Sequence, residues 1–236
     1  MRSSLTERMT PLFSLQVIPM RKRHICTLML SLTLTLACGH ASAASTAELV
    51  VDGRIVPSAC TMTLSRSTVD LGNIQSHRLN AGEPTALAPS SVTLGVACQA
   101  AARYALSITD DRASSVAPGV AGVAHPGASD SEAFGLGTTS RGSIGAYVLG
   151  VSDGMADGAS ATMVRSSDGG ATWTDTSVLA PGQLFTGWRG PAGEPAELRN
   201  STIAIAIKPA VVGTDQLDLS AAVELDGRAV IELVYL

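Results

Sequence analysis

Apolar and polar residues alternate with a period of two in a series of short runs along the chain, and Gly, Pro, Asp and Asn separate the runs. Alternation of this kind turns one face of a strand toward a core and the other toward water. It appears at residues 48–56, around Gly53 and halted by Pro57, then at 60–64, 69–74, 91–98 and 104–108. Further runs follow at 142–151, 161–166, 201–208, 217–225 and 229–236. No segment carries the 3.6-residue stripe of an amphipathic helix over three turns. Residues 114–131, rich in Ala, Gly, Ser and Pro and lacking any period, read as a mobile loop. Many short strands joined by turn residues predict a β-sandwich.

A leader stands ahead of these runs. Met20-Arg21-Lys22-Arg23 is a compact basic cluster, and residues 25–37 form an apolar stretch too short to span a bilayer. Ala41-Ser42-Ala43 has the A-x-A form of a signal-peptidase site. Residues 1–43 are therefore assigned to the leader, with synthesis starting at Met20 and the signal peptide running over 20–43. The competing lipoprotein box at Thr35-Leu36-Ala37-Cys38 lacks a leucine three residues before the cysteine, so Cys38 reads as part of the discarded leader. Residues 44–236 then form one exported β domain.

That domain keeps two cysteines, Cys60 and Cys98, and an oxidising compartment makes an isolated pair a disulfide. The bridge closes a loop of about 39 residues, for which chain entropy gives about 4 kcal/mol of stabilisation. There is no CxxC motif and no third ligand nearby, which argues against a redox or metal role. The net charge of −4 supplies no cationic field for nucleic acid. Charged residues are 15% and aromatics 3% of the chain, with 23 glycines, a balance that favours short strands and tight turns over helices.

Catalytic constellations find little support, and the expectation is a protein that is not an enzyme and uses neither cofactor nor metal. His77 and His125 lie in polar or Gly/Pro-rich surroundings and in no triad or zinc motif. Gly135-x-Gly137, Asp153-Gly154 and Asp157-Gly158 are turn chemistry, and no GxxxxGK[ST] loop is present. Asp153, Asp157 and Asp168 lack the bidentate Glu of a calcium loop. Residues 166–173 fit the Asp-box pattern S-x-D-x-G-x-T-W, in which Asp and Ser cap a hairpin turn and the Trp packs beneath it. A single copy cannot make a propeller.

The last run carries the sharpest information. Asp226-Gly227 reads as a turn, after which Ala229, Ile231, Leu233 and Tyr235 share one face and Val230, Glu232, Val234 and Leu236 the other. A chain ending on such a strand must bury it in mid-sheet or leave an edge for a partner. This segment, with its penultimate Tyr235, resembles the C-terminal strand of subunits assembled by the chaperone–usher pathway. Gly53-Arg54-Ile55-Val56-Pro57-Ser58-Ala59-Cys60 resembles the opening of pilin domains, and Cys98 stands where those domains complete their disulfide. Phe134-Gly135-Leu136-Gly137, residues 142–147, Ser167-Asp168-Gly169 before Trp173, and residues 231–236 are similar to a poorly characterised branch of pilin-like proteobacterial proteins.

The resemblance implies an all-β, immunoglobulin-like sandwich that is incomplete by one strand and held by one disulfide. It implies a groove beside the C-terminal strand, filled first by a periplasmic chaperone at Ala229, Ile231, Leu233 and Tyr235, and later by another pilus subunit. The outer-membrane usher would be a further partner, and the route would run from the periplasm to the pilus and cell surface. Ala47, Leu49 and Val51 would form this chain's own donor segment. Two departures bear on polymerisation: few residues separate Ala44 from Cys60, and Val223 stands where the last strand's usual glycine would be. A tip, terminator or stand-alone role stays open. The alternative is a secreted carbohydrate-binding module or adhesin with a complete sandwich, contacting a host or surface glycan through Trp173 and Trp188.

Overall fold

The computed structural model describes residues 59–182 and 185–236. The leader with Cys38, the run at 48–56 and the donor positions Ala47, Leu49 and Val51 lie outside the described residues. Seven strands of four residues or more are described: β1 (Cys60–Leu64), β2 (Ser90–Asp110), β3 (Gly145–Ala156), β4 (Met163–Ser166), β5 (Phe185–Trp188), β6 (Glu197–Val211) and β7 (Ala229–Tyr235). The fold is all-β, a large curled antiparallel sheet in the order β4-β5-β2-β6-β3. β1 pairs with the first half of β2 and β7 with its second half.

The runs at 91–98 and 104–108 are one strand. β6 follows it across the join, with a register shift between Leu198 and Asn200, opposite Ala102 and Ala97. A bulge of this kind bends and twists a ladder without ending it. The first half of β2 can therefore face β1 and β6 while the second half faces β5 and β7. Along the core face the register places Val92 opposite Ile205, Leu94 opposite Ile203, and Ile207 opposite Leu149. Ile231 and Leu233 stand opposite the buried Ile108 and Leu106. Cys60 and Cys98, direct partners in the β1–β2 register, form the disulfide. The Cys60 N–H donates to the Tyr235 hydroxyl at 2.8 Å, joining the end of β7 to the start of β1.

Three local expectations are corrected. Residues 114–131 are no mobile loop: they include a four-residue helix, α1 (Ala121–Ala124), and the 3-10 turn Asp130–Glu132. Ala117, Val120, Ala121 and Ala124 are buried in the core cluster. Small side chains let this backbone lie close against the sheet, and one helical turn is too short to show a 3.6-residue period. Residues 69–74 and 217–225 are coil and bend without a ladder partner among the described residues. Their alternation is nevertheless expressed, because Val69, Leu71, Val223 and Leu225 are half-buried beside exposed neighbours. Period two specifies which way side chains face and leaves the backbone partner unspecified.

Asp226-Gly227 is likewise no turn. Asp226 N–H donates to the Leu136 carbonyl, Arg112 Nε donates to Asp226 Oδ2 at 2.8 Å, and Arg228 pairs with Asp111 at 3.0 Å. Gly227 serves close approach: a Cβ there would stand 2.8 Å from a Tyr147 ring carbon and 3.1 Å from Leu136. Tyr147 in turn stacks on the buried Phe134, with ring centroids 5.1 Å apart.

The Asp-box expectation is met at the turn after β4. Ser166 Oγ donates to Asp168 Oδ1 at 2.6 Å and accepts from Gly170 N–H at 2.8 Å. Thr172 donates to Asp168 through its N–H at 2.9 Å and its hydroxyl at 2.6 Å, and Trp173 Nε1 donates to the Gly170 carbonyl at 3.0 Å. The bonds from Ser166 and then Thr172 hold the Asp168 carboxyl well below the usual carboxylate range.

Two outcomes are expected. Gly227→Ala should lower stability by about 1–3 kcal/mol through overpacking against Tyr147. Gly82→Ala, with nothing within 4 Å of the added carbon, should leave the urea midpoint nearly unchanged; equal midpoints for the two variants would refute the packing argument. Because the Asp168 pKa is depressed in the fold, its contribution is present above roughly pH 4 and is lost as pH falls toward the folded value. Unfolding curves should therefore lose stability more steeply below roughly pH 4 in the parent than in Asp168→Asn, and parallel curves would refute it.

Candidate functional site

Beside β7, among the described residues, a groove of about 850 Å³ opens over the inner face of the sheet. Its floor is aliphatic because β2, β6 and β3 alternate in register, bringing Val92, Ile205, Ile207 and Leu149 onto one face. Residues 66–76 and 221–227 line it, and Ala229 and Ile231 of β7 contribute to the wall. Neither segment enters a ladder among the described residues. The groove thus combines an apolar floor with lengths of backbone whose N–H and C=O groups have no sheet partner.

The surface around it is also apolar. Leu64 at the end of β1 is 41% exposed and Leu219 is 44% exposed, and both line the groove. On β7, Val230 and Leu236 beyond its end are exposed as well. Among the described residues β7 pairs with β2 alone, so its other edge is free. Such an edge is a template for another strand.

Groups for chemistry are sparse here. Tyr147 lines the groove, and burial followed by the nearby Asp110 and Asp111 charges pushes its pKa up, so the phenol stays neutral. Arg66 is bonded to the Ser91 carbonyl at 2.7 Å, and Asp70 accepts from Gly72 N–H at 2.8 Å. Among the described residues no group of three or more His, Cys, Asp and Glu could hold a metal ion. His77 is exposed in the 3-10 turn Ser76–Arg78, while His125 Nδ1 lies 2.9 Å from Lys208 Nζ after α1. The arrangement can bind an extended apolar segment, and nothing in it resembles a nucleophile with its base.

Of the residues singled out in the sequence, Ala229 and Ile231 reach the groove. Leu233 packs on the core farther along β7, and Tyr235, half exposed, is committed to Cys60. Trp188 is corrected: it is 3% exposed, and a Cβ on Gly154 would stand 2.3 Å from its ring. A ring sealed in this way offers no face to a sugar. Trp173 is half-buried, with its indole N–H engaged by the Asp-box turn. Sequence reasoning missed the floor residues and the 66–76 segment as parts of one site. The signal was present at Val69, Leu71 and Ile74, whose alternation was read as a strand.

A second, smaller hollow of about 290 Å³ lies between residues 129–132 and the Asp-box hairpin. Ser129, Ser131, Ser167, Thr172 and Thr174 line it together with the Arg165–Glu132 ion pair.

Among the described residues no helix is long and apolar enough to cross a membrane. No curated protein matches the chain. Residues 49–148, less than half of the chain, match the family described as "Protein of unknown function (DUF1120)", a stretch that takes in β1, β2 and the beginning of β3.

Proposed function

We propose that the protein is a pilin-like structural subunit rather than an enzyme, and that the groove beside β7 accepts an extended apolar strand from a partner. The observation that carries the reading is the coincidence, at one place, of an aliphatic floor, two coil segments outside any ladder and a strand edge that is unpaired among the described residues. A volume of about 850 Å³ lies within the roughly 300–1,000 Å³ range of small-molecule sites. Such sites rely on a few convergent polar groups to orient the ligand, whereas here the aliphatic floor and free backbone suit β-augmentation. In that mode ladder bonds provide general affinity and alternate side chains entering the floor provide register. An exposed apolar edge left alone favours aggregation, which supports a dedicated partner.

In this reading the leader exports the chain to the periplasm, where a chaperone strand occupies the groove. The usher then exchanges it for the N-terminal segment of another pilus subunit, and the protein ends in a pilus or on the cell surface. Residues 44–58, with Ala47, Leu49 and Val51, would donate in the same way to a neighbour.

Periplasmic expression with and without a pilus chaperone tests this. The expected result is a 1:1 complex with the chaperone and aggregation or degradation without it. Leu219→Asp, at an exposed groove position, should reduce complex yield about tenfold, because a charge at an apolar contact costs over 1 kcal/mol. A monomer that melts cooperatively on its own and ignores both the chaperone and this substitution would overturn the proposal.

A further inference from the structure

The small hollow beside the Asp-box hairpin shares no residue with the apolar groove and has the opposite chemistry. Five hydroxyl side chains line it, and each hydroxyl can donate one hydrogen bond and accept others. Among the described residues the Ser167 and Thr174 hydroxyls have no hydrogen-bond partner, and Ser131 Oγ is bonded to Ser129 Oγ at 2.9 Å. The walls are held in place before any ligand arrives. Ser129 N–H and Ser129 Oγ both donate to Glu132 Oε2 at 3.0 Å, while Asp168 fixes Thr172 from the other side.

The electrostatics narrow the ligand. Arg165 and Glu132 are the hollow's two charged residues and they pair with each other, so neither a strong anion nor a cation finds an unmatched counter-charge. Burial acts to raise the Glu132 pKa, but the bonds from Ser129 and Arg165 outweigh it and keep the group ionised. No aliphatic or aromatic residue lines the hollow, which argues against an apolar ligand. What remains is a neutral molecule presenting several hydroxyls that can both give and take hydrogen bonds.

We infer that the hollow formed by residues 129–132 and the β4 hairpin is a binding site for a neutral pyranose, with Ser131, Ser167 and Thr174 as the direct contacts. The site is independent of the strand-accepting groove and of Trp173 and Trp188. A shallow site with about three new hydrogen bonds and little buried apolar area gives weak affinity, with Kd on the order of 1 mM.

The test is titration of the purified protein, in its 1:1 complex with the chaperone or, if it is stable without one, alone, with methyl pyranosides of the gluco, galacto and manno series, followed by amide NMR shifts. At least one sugar should produce saturable shifts centred on Ser131, Ser167 and Thr174. Thr174→Val, an exposed and nearly isosteric change, should weaken it about tenfold while leaving the melting temperature unchanged. Ser167→Ala offers a second variant should Thr174→Val disturb the hairpin. No saturable shift with any of the sugars overturns the inference. So does a site that responds to inorganic phosphate alone, or sugar binding that neither variant weakens.

Discussion

β2 satisfies backbone hydrogen bonds on two flanks of the sheet within one unbroken strand of 21 residues. β1, β5, β6 and β7 all pair with it directly. The first half is held by β1 and β6, the second by β5 and β7, and the shift opposite Ala97–Ala102 lets one strand serve both. A break in β2 would separate the two halves of the core, since Leu94 and Val96 lie on one side of the bend and Tyr104, Leu106 and Ile108 on the other. The Tyr104 hydroxyl bonded to Ser201 Oγ at 2.6 Å closes the same corner with a buried polar link.

The treatment of β7 follows from this frame. Its start is tied to the 110–112 corner by two ion pairs, and its end to Cys60 by a hydrogen bond. The ion pairs are substantially exposed, and exposed pairs contribute about 0–1 kcal/mol each. They serve more to set where β7 begins than to hold the fold together. The larger stabilisation comes from Ile231 and Leu233 packing on the core. The strand is thus fixed at both ends and on one edge while its other edge is unpaired among the described residues, an arrangement that presents a template.

Legibility in the sequence tracked the presence of a partner. Residues 60–64, 201–208 and 229–236 were readable because alternation there coincides with ladders that the strands do form. Residues 69–74 and 217–225 carry the same alternation for a different reason: they cover a core without pairing, and period two cannot distinguish the two cases. The groove was implied by family resemblance at its β7 wall, through Ala229 and Ile231, but its floor comes from three strands distant in sequence. The Asp box was legible because its bonds are local, closing within a few residues. The hydroxyl hollow beside it was not, since Ser129–Glu132 and Ser167–Thr174 meet only through tertiary folding and a serine in a loop carries no pattern of its own.

On the two proposals, the cavities would divide the molecule's recognition chemistry by solvent preference. An aliphatic floor gains free energy by excluding water, so it suits a partner that stays bound and brings its own backbone to the free edge. A hollow lined by hydroxyls must exchange bonds with water for bonds with ligand at little net gain, so it suits a weak and reversible contact. Because they share no residue and rest on different strands, changes at one should leave the other nearly unaltered. A subunit fixed in an assembly through its groove could then multiply a weak contact by repetition, since many copies held together raise the effective concentration without altering any single site.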